Sequence, residues 1–321
     1  MPSTSSDPLS LSGRRDAQRA QAAALNGDFS EAAAGFIAQA ERARASADLA
    51  TSARCFLAAV RLHLMAGQTL AARAALAEVE DLAFPPAARE VALTTAEVAD
   101  ADGDLEERRR AWTRVLDLQD ARARLTAYEK LSRLARDTGD LTTALVHLDA
   151  ATALADAESD DRARAAFRLE KAVVLTAAQR TTEARRMLDE AEVMAAGHAP
   201  HLHGRIAGQR GLVALAGGDT AEAIRLGQIA RASAVQRADV ETYLSSTVLI
   251  SSAYHQADRP VDELDTLLRA KSSLTDLLGD SGQALIEPAL TALETRLGPA
   301  RFAEVHAAWA ARRRAELNAG G

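Results

Sequence analysis

The sequence predicts an all-α protein built as a row of about eight antiparallel helical hairpins. The 321 residues include 75 Ala, with Leu, Arg and Glu making up much of the rest, and all four are strong helix formers. Aromatic residues are only 3% of the chain, and no stretch of β-branched residues alternates with polar ones for long, so strands lack a pattern to form from. A turn signature also returns at a nearly fixed interval, which is the mark of a repeat array.

The turns are Asn26-Gly27-Asp28, Ala66-Gly67-Gln68, Asp102-Gly103-Asp104, Thr138-Gly139-Asp140, Ala178-Gln179-Arg180, Gly217-Gly218-Asp219 and Ala257-Asp258-Arg259. Between their middle residues the chain advances 40, 36, 36, 40, 39 and 40 residues. A glycine accepts the left-handed backbone that ends a helix, and the Asp after it can cap the next one. Helical stretches fill the intervals. Softer boundaries at Phe84-Pro85-Pro86, Glu158-Ser159-Asp160 and Gly197-His198-Ala199-Pro200 join one hairpin to the next.

Packing residues recur at fixed offsets from these turns. Seven before each centre stand Ala20, Val60, Ala96, Ser132, Ala172, Gly211 and Ser251. Five after it stand Ala32, Ala72, Arg108, Ala144, Ala184, Ala223 and Glu263. Nine after it stand Phe36, Leu76, Trp112, Leu148, Leu188, Gly227 and Leu267. Small residues let the two helices of a hairpin approach closely, and the larger one fills the gap toward the next hairpin. Arg108, Glu263 and Gly227 depart from the pattern.

In these offsets the chain resembles the tetratricopeptide-repeat (TPR) family, most clearly at Asn26-Gly27-Asp28-Phe29-Ser30-Glu31-Ala32 and at Gly211-Leu212 with Gly218-Asp219-Thr220-Ala221-Glu222-Ala223. The family's standard unit is about 34 residues; the longer units here resemble the helical sensor arrays of bacterial signal-transduction regulators. The resemblance implies a right-handed superhelical solenoid whose first helices line a concave face. Residues 1–13, rich in Ser and Pro, are expected to be a disordered tail, 14–280 seven hairpins, 281–317 a capping hairpin and 318–321 a frayed end. Pro299 suits a first helical position, and Trp309 is the expected anchor of the cap.

Composition and motifs narrow the function. The formal charge is −7 with both signs interspersed, so no basic stripe points to nucleic acid. The start carries no basic region ahead of an apolar stretch, and no apolar run approaches the ~20 residues of a membrane span, so no membrane partner and a cytoplasmic location are expected. The single cysteine, Cys55, excludes an intrachain disulfide and sits in an Ala-Leu-rich stretch, as a buried, inert thiol would. No phosphate-binding loop, His-Glu-x-x-His or Gly-x-Ser-x-Gly occurs; neither an enzyme nor a cofactor is implied. His198, His201 and His203 cluster closely enough to suggest zinc or nickel. Pro200 makes their helical geometry awkward and no carboxylate stands beside them in sequence, so a polar link is the alternative.

Six and thirteen residues before each turn, the inward positions that the resemblance implies, stand Gln21, Arg54, Arg61, Glu90, Glu97, Arg133, Arg205 and Ser252, with Arg136 and His255 one helical turn further on. The face is basic, then acidic, then basic through repeats two to four. That suits a protein or peptide of mixed charge; a solvated helix face would read the same way. Asn26 and Asn318 are the only asparagines and lie off that face, so any grip on a carboxylate must come from arginine. A scaffold holding a protein or peptide is expected, with a sensor module serving a separate ATPase or transcriptional regulator as the alternative.

Overall fold

The computed structural model describes residues 11–102 and 104–319, and side chains over 18–101 and 104–318. Among the described residues there are helices, turns and two short 3-10 segments, and no strand. The chain divides into two compact units, Met1–Thr138 and Gly139–Gly321.

The first unit holds α1 (Leu11–Leu25), α2 (Phe29–Ala45), α3 (Leu49–Met65), α4 (Thr69–Asp81), α5 (Ala88–Asp102), α6 (Leu105–Val115) and α7 (Ala121–Asp137). The second holds α8 (Leu141–Ala157), α9 (Asp161–Ala177), α10 (Thr181–His198), α11 (His203–Ala216), α12 (Thr220–Arg237), α13 (Val240–Gln256), α14 (Pro260–Leu278) and α15 (Asp280–Ala319). Within each unit every helix packs on the next in sequence, and alternate helices touch as well: α3 with α5, and α11 with both α9 and α13. Residues 1–10 of the expected tail lie outside the described residues, whereas its last three belong to α1.

The turns are where the sequence placed them. Gly27, Gly67, Gly139 and Gly218 have φ of 83°, 69°, 80° and 83°, and Gln179 and Asp258 adopt 59° and 51° at the equivalent positions; Gly103 lies outside the described residues. A left-handed residue there lets the next N–H reach back to a carbonyl in the last turn, as Asp28 N–H does to Ala23 O at 2.9 Å and Asp219 N–H to Ala214 O at 3.0 Å. The Asp then caps the following helix: Asp28 accepts from Glu31 N–H, Asp140 from Thr143 N–H and Asp219 from Glu222 N–H. Three of the links between hairpins use the same device. Ala47, Ser159 and Ala238 have φ of 60°, 55° and 53°, and Asp48, Asp160 and Asp239 cap α3, α9 and α13.

The small residues seven before and five after each turn are buried throughout, including Val60, Ala72, Ala96, Ala144, Ala172, Ala184 and Ala223, each fully inaccessible. Gly211 belongs to this set for a steric reason: a Cβ there would lie 2.5 Å from Leu249 Cδ2. The departures are accommodated by charge pairing. Arg108 donates to Asp100 at 3.1 Å, and the buried Glu263 accepts from Ser251 at 3.3 Å and Arg296 at 2.5 Å. At the third departure the missing volume lets Ile250 approach, since a Cβ on Gly227 would meet its Cγ1 at 2.6 Å. In the second unit Arg168 is also buried; it donates to Glu190 at 3.0 Å, to Asp156 at 3.2 Å and to the Arg164 carbonyl at 3.3 Å, tying α8, α9 and α10 together.

Gly298, at φ 73° and ψ 162°, interrupts α15 and leaves two helical arms, 280–297 and 299–319. Trp309 on the second arm donates to Asp265 of α14 at 3.0 Å and joins a cluster with Leu267, Ile286, Leu293 and Val305. These two arms occupy the stretch expected to form the terminal hairpin, and Trp309 ties the second of them to α14.

Candidate partner-binding faces

In the first unit the charged side chains expected to meet a partner are engaged with neighbouring groups of the chain itself. Arg61 lies 3.9 Å from Glu97, linking α3 to α5. Glu90 accepts from Arg89 at 3.1 Å, and Arg89 reaches on to Asp120, the cap of α7, at 2.9 Å. Arg133 pairs with Glu129 one turn away at 3.2 Å, and Arg136 lies 3.6 Å from Asp137. Arg54 donates along its own helix, to Thr51 Oγ1 at 3.1 Å and Ala50 O at 3.3 Å. Exposed pairs of this kind contribute about 0–1 kcal/mol each, so a partner could displace them at small cost.

Beneath them, Asp100 gathers Lys130 at 2.9 Å, the Trp112 indole at 3.0 Å and Arg108 at 3.1 Å, with Lys130 Nζ 5.6 Å from the centre of the Trp112 ring. Burial alone would raise this carboxyl, but the hydrogen bonds from Lys130, Trp112 and Arg108 outweigh it and hold the group below the usual carboxylate range.

The second unit presents a different surface on its first helices. Arg205 of α11 donates to Glu170 of α9 at 2.6 Å, Gln209 donates to Thr176 at 2.8 Å, and His255 is exposed at the end of α13. The remaining positions at the same offsets are Ala166, Val173, Leu212, Ser245 and Ser252, and on the first arm of α15 Leu285 and Ala292. Leu212 is 42% exposed, Leu285 46% and the neighbouring Val248 51%. Apart from Ser245 and Ser252, no charge or polarity marks these residues in the sequence, although the offsets that pick out Arg61 and Glu97 also pick out Leu212 and Ala292. On the 280–297 arm the face includes an open groove of about 1050 Å³ beside Ala284, Glu287, Pro288, Thr291, Ala292 and Thr295.

The three histidines separate. His198 lies 3.5 Å from Asp161, a carboxylate that the fold rather than the sequence brings near; His201 is half-buried and His203 exposed. Among the described residues no group of three His, Cys, Asp or Glu side chains is placed to hold a metal ion. Cys55 is buried, and burial pushes its thiol above the ordinary value, which keeps it protonated and unreactive. No helix among the described residues is long and apolar enough to cross a membrane.

No protein-family model matches the sequence, and no curated protein matches it. Solved structures do match the fold. The apo form of RapI superposes with a TM-score of 0.60 at 10% identity, over 88% of this chain and 87% of that one. A Rap protein complexed with competence and sporulation factor gives 0.58 at 12% identity, over 94% and 87%. A signal-transduction ATPase with numerous domains and a tetratricopeptide-repeat sensor, from Pyrococcus horikoshii, gives 0.63 at 10% identity over 85% of this chain. The fold is a TPR-like helical solenoid. This chain spans 44% of the length of the ATPase, so the TPR-like array is shared while more than half of that larger protein has no counterpart here. A tetratricopeptide-repeat protein from Parabacteroides merdae matches along its whole length, with a TM-score of 0.58 at 11% identity and 87% of this chain covered.

Proposed function

We propose that this chain is a non-catalytic, cytoplasmic scaffold that holds a protein or an extended peptide against the exposed faces of its first helices. The observation that carries this reading is the likeness to solved TPR-like arrays, one of them a Rap protein in complex with competence and sporulation factor. Arrays of stacked hairpins offer long surfaces to which successive repeats each contribute a few side chains. Here the first unit would contribute Arg54, Arg61, Glu90, Glu97, Arg133 and Arg136, and the second Arg205 and His255 with the uncharged Leu212 and Val248. The arginines would supply forked contacts to carboxylates or backbone carbonyls.

The test is affinity capture from a native lysate, followed by titration of whatever partner is captured. A variant with Arg54, Arg61, Arg133 and Arg136 reversed to Glu loses the partner on this reading. The exchange Arg61→Glu with Glu97→Arg, which keeps their mutual pair, separates loss of binding from loss of the pair. Undiminished affinity in the reversed variant and in Leu212→Asp would remove both faces from consideration.

The likeness to the sensor-bearing ATPase favours a second reading, a peptide- or ligand-sensing module that reports to a separate ATPase or regulator. A ligand of that kind raises the melting temperature, since binding to the folded state at a hundred times Kd stabilises it by about 2.7 kcal/mol.

A further inference from the structure

We infer that the second unit carries a site for a nucleoside phosphate between α14 and the second arm of α15, with Trp309 against the base and Arg269 and Arg313 at the phosphate. The site is built away from the first-helix faces, and it does not depend on the partner-binding reading above.

An open cavity of about 720 Å³ lies between these two helices, within the span of about 300–1,000 Å³ usual for small-molecule sites. Two hydrogen bonds hold its walls together: Trp309 donates to Asp265 at 3.0 Å, and Arg312 donates to Asp262 at 2.8 Å. Trp309 is the aromatic side chain among the described lining residues, and it is only partly buried. Its bond to Asp265 fixes the indole in advance, so a planar ring can stack there without the cost of ordering it. Arg269, Lys271 and Arg313 line the same cavity.

The arginines belong to a network with one more cation than acid. Arg259, Arg269, Arg312 and Arg313 share Asp262, Asp265 and Glu316 at distances from 2.6 to 3.9 Å. Glu316 alone is approached by three of them: Arg313 at 2.6 Å, Arg269 at 3.5 Å and Arg312 at 3.9 Å. Lys271 and Glu287 pair at 3.1 Å and cancel. A phosphate that takes the place of Glu316 at Arg269 and Arg313 brings more oxygens and more charge than the carboxylate it displaces. The rest of the lining suits a sugar. The hydroxyls of Ser272 and Ser273 and the carboxylate of Asp276 make no hydrogen bond or ion pair among the described residues. A free carboxylate accepts from hydroxyl groups and repels an anion, which sets the sugar at Asp276 and the phosphate at the arginines. A bare anion leaves the indole and Asp276 unused, and a neutral aromatic leaves the surplus charge unmatched.

The test is an NMR titration of the full chain with adenosine monophosphate at constant ionic strength, read on the assigned indole N–H of Trp309 and repeated with adenosine, ribose 5-phosphate and inorganic phosphate. A saturable shift at Trp309 and not at Trp112, about tenfold weaker in R269Q/R313Q and unchanged in R162Q/R237Q outside the cavity, establishes the site. Should R269Q/R313Q fail to fold by circular dichroism, R313Q alone carries the same comparison, since its contact is the half-exposed pair with Glu316. Affinity for adenosine or ribose 5-phosphate equal to that for the nucleotide would overturn the proposal, as would absence of saturation or undiminished affinity in the arginine variants. Inorganic phosphate binding as tightly as the nucleotide would reduce the site to an adventitious ion only.

Discussion

Each compact unit contains one of the protein's two tryptophans, and the two are held alike. Trp112 donates its indole N–H to Asp100 at 3.0 Å, and Trp309 donates to Asp265 at the same distance. Both carboxylates also draw in arginine, Arg108 in the first case and Arg269 with Arg312 in the second. The surroundings differ. Trp112 is 2% exposed and lies between helices on both sides, with Lys130 over its ring. Trp309 is only partly buried and closes the terminal hairpin. One device thus serves an interior contact and an end cap, and the interior copy should be the costlier to lose, because there the abandoned donors have less water to turn to.

Asp100→Ala sets the top of the scale: it orphans a buried indole N–H and two cations, and should lower stability by about 2–3 kcal/mol in urea melts. Gly211→Leu comes next, at about 1–3 kcal/mol from overpacking against Leu249; an unchanged melt would show that α11 does not sit as close to α13 as described. Asp265→Ala should cost about 1 kcal/mol, and a loss equal to that of Asp100→Ala would erase the distinction between interior and cap. Gln179→Gly and Asp258→Gly should each gain about 0.5 kcal/mol, relief of the left-handed backbone exceeding the extra freedom of the unfolded chain.

The pH dependence sharpens the same comparison. Asp100 and Asp265 are both held below the usual carboxylate range, burial being outweighed in each by hydrogen bonds, from Lys130, Trp112 and Arg108 in one and from Arg269 and Trp309 in the other. A depressed carboxylate contributes stability that is fully present above its unfolded pKa and is lost as pH falls through the lower folded one. Tryptophan fluorescence on acidification should therefore hold steady at pH 5 and change below about 4. In Asp100→Asn the acid-induced loss should shrink; an undiminished loss would assign it elsewhere.

Local structure was largely legible from sequence because it depends on residues a few positions apart. Glycine-Asp pairs marked four of the seven turns, and the offsets minus seven, plus five and plus nine named side chains most of which are buried in the fold. Arg108 and Glu263 looked like defects because their compensation, Asp100 and Arg296, comes from other helices. The same reason hid the pairing of Arg61 with Glu97 and the approach of Asp161 to His198. The Asp caps of the links, at Asp48, Asp160 and Asp239, each stand about twenty positions from a hairpin turn, after an Ala or Ser whose left-handed backbone its residue type does not announce. No glycine advertises them. The division at Thr138 and Gly139 left no mark, since that turn reads like any other.

The sharing of one turn device between hairpins and links has a consequence for how such a chain can grow. Backbone grammar here recurs at links as well as at hairpin turns, whereas burial repeats with every second helix. Inserting a single helix with its left-handed residue and Asp cap would satisfy every local rule and yet exchange inner and outer roles for all that follows, setting local preference against packing. Lengthening is therefore tolerated only in even steps, so duplication must copy whole hairpins even though the chain's punctuation would accept half of one.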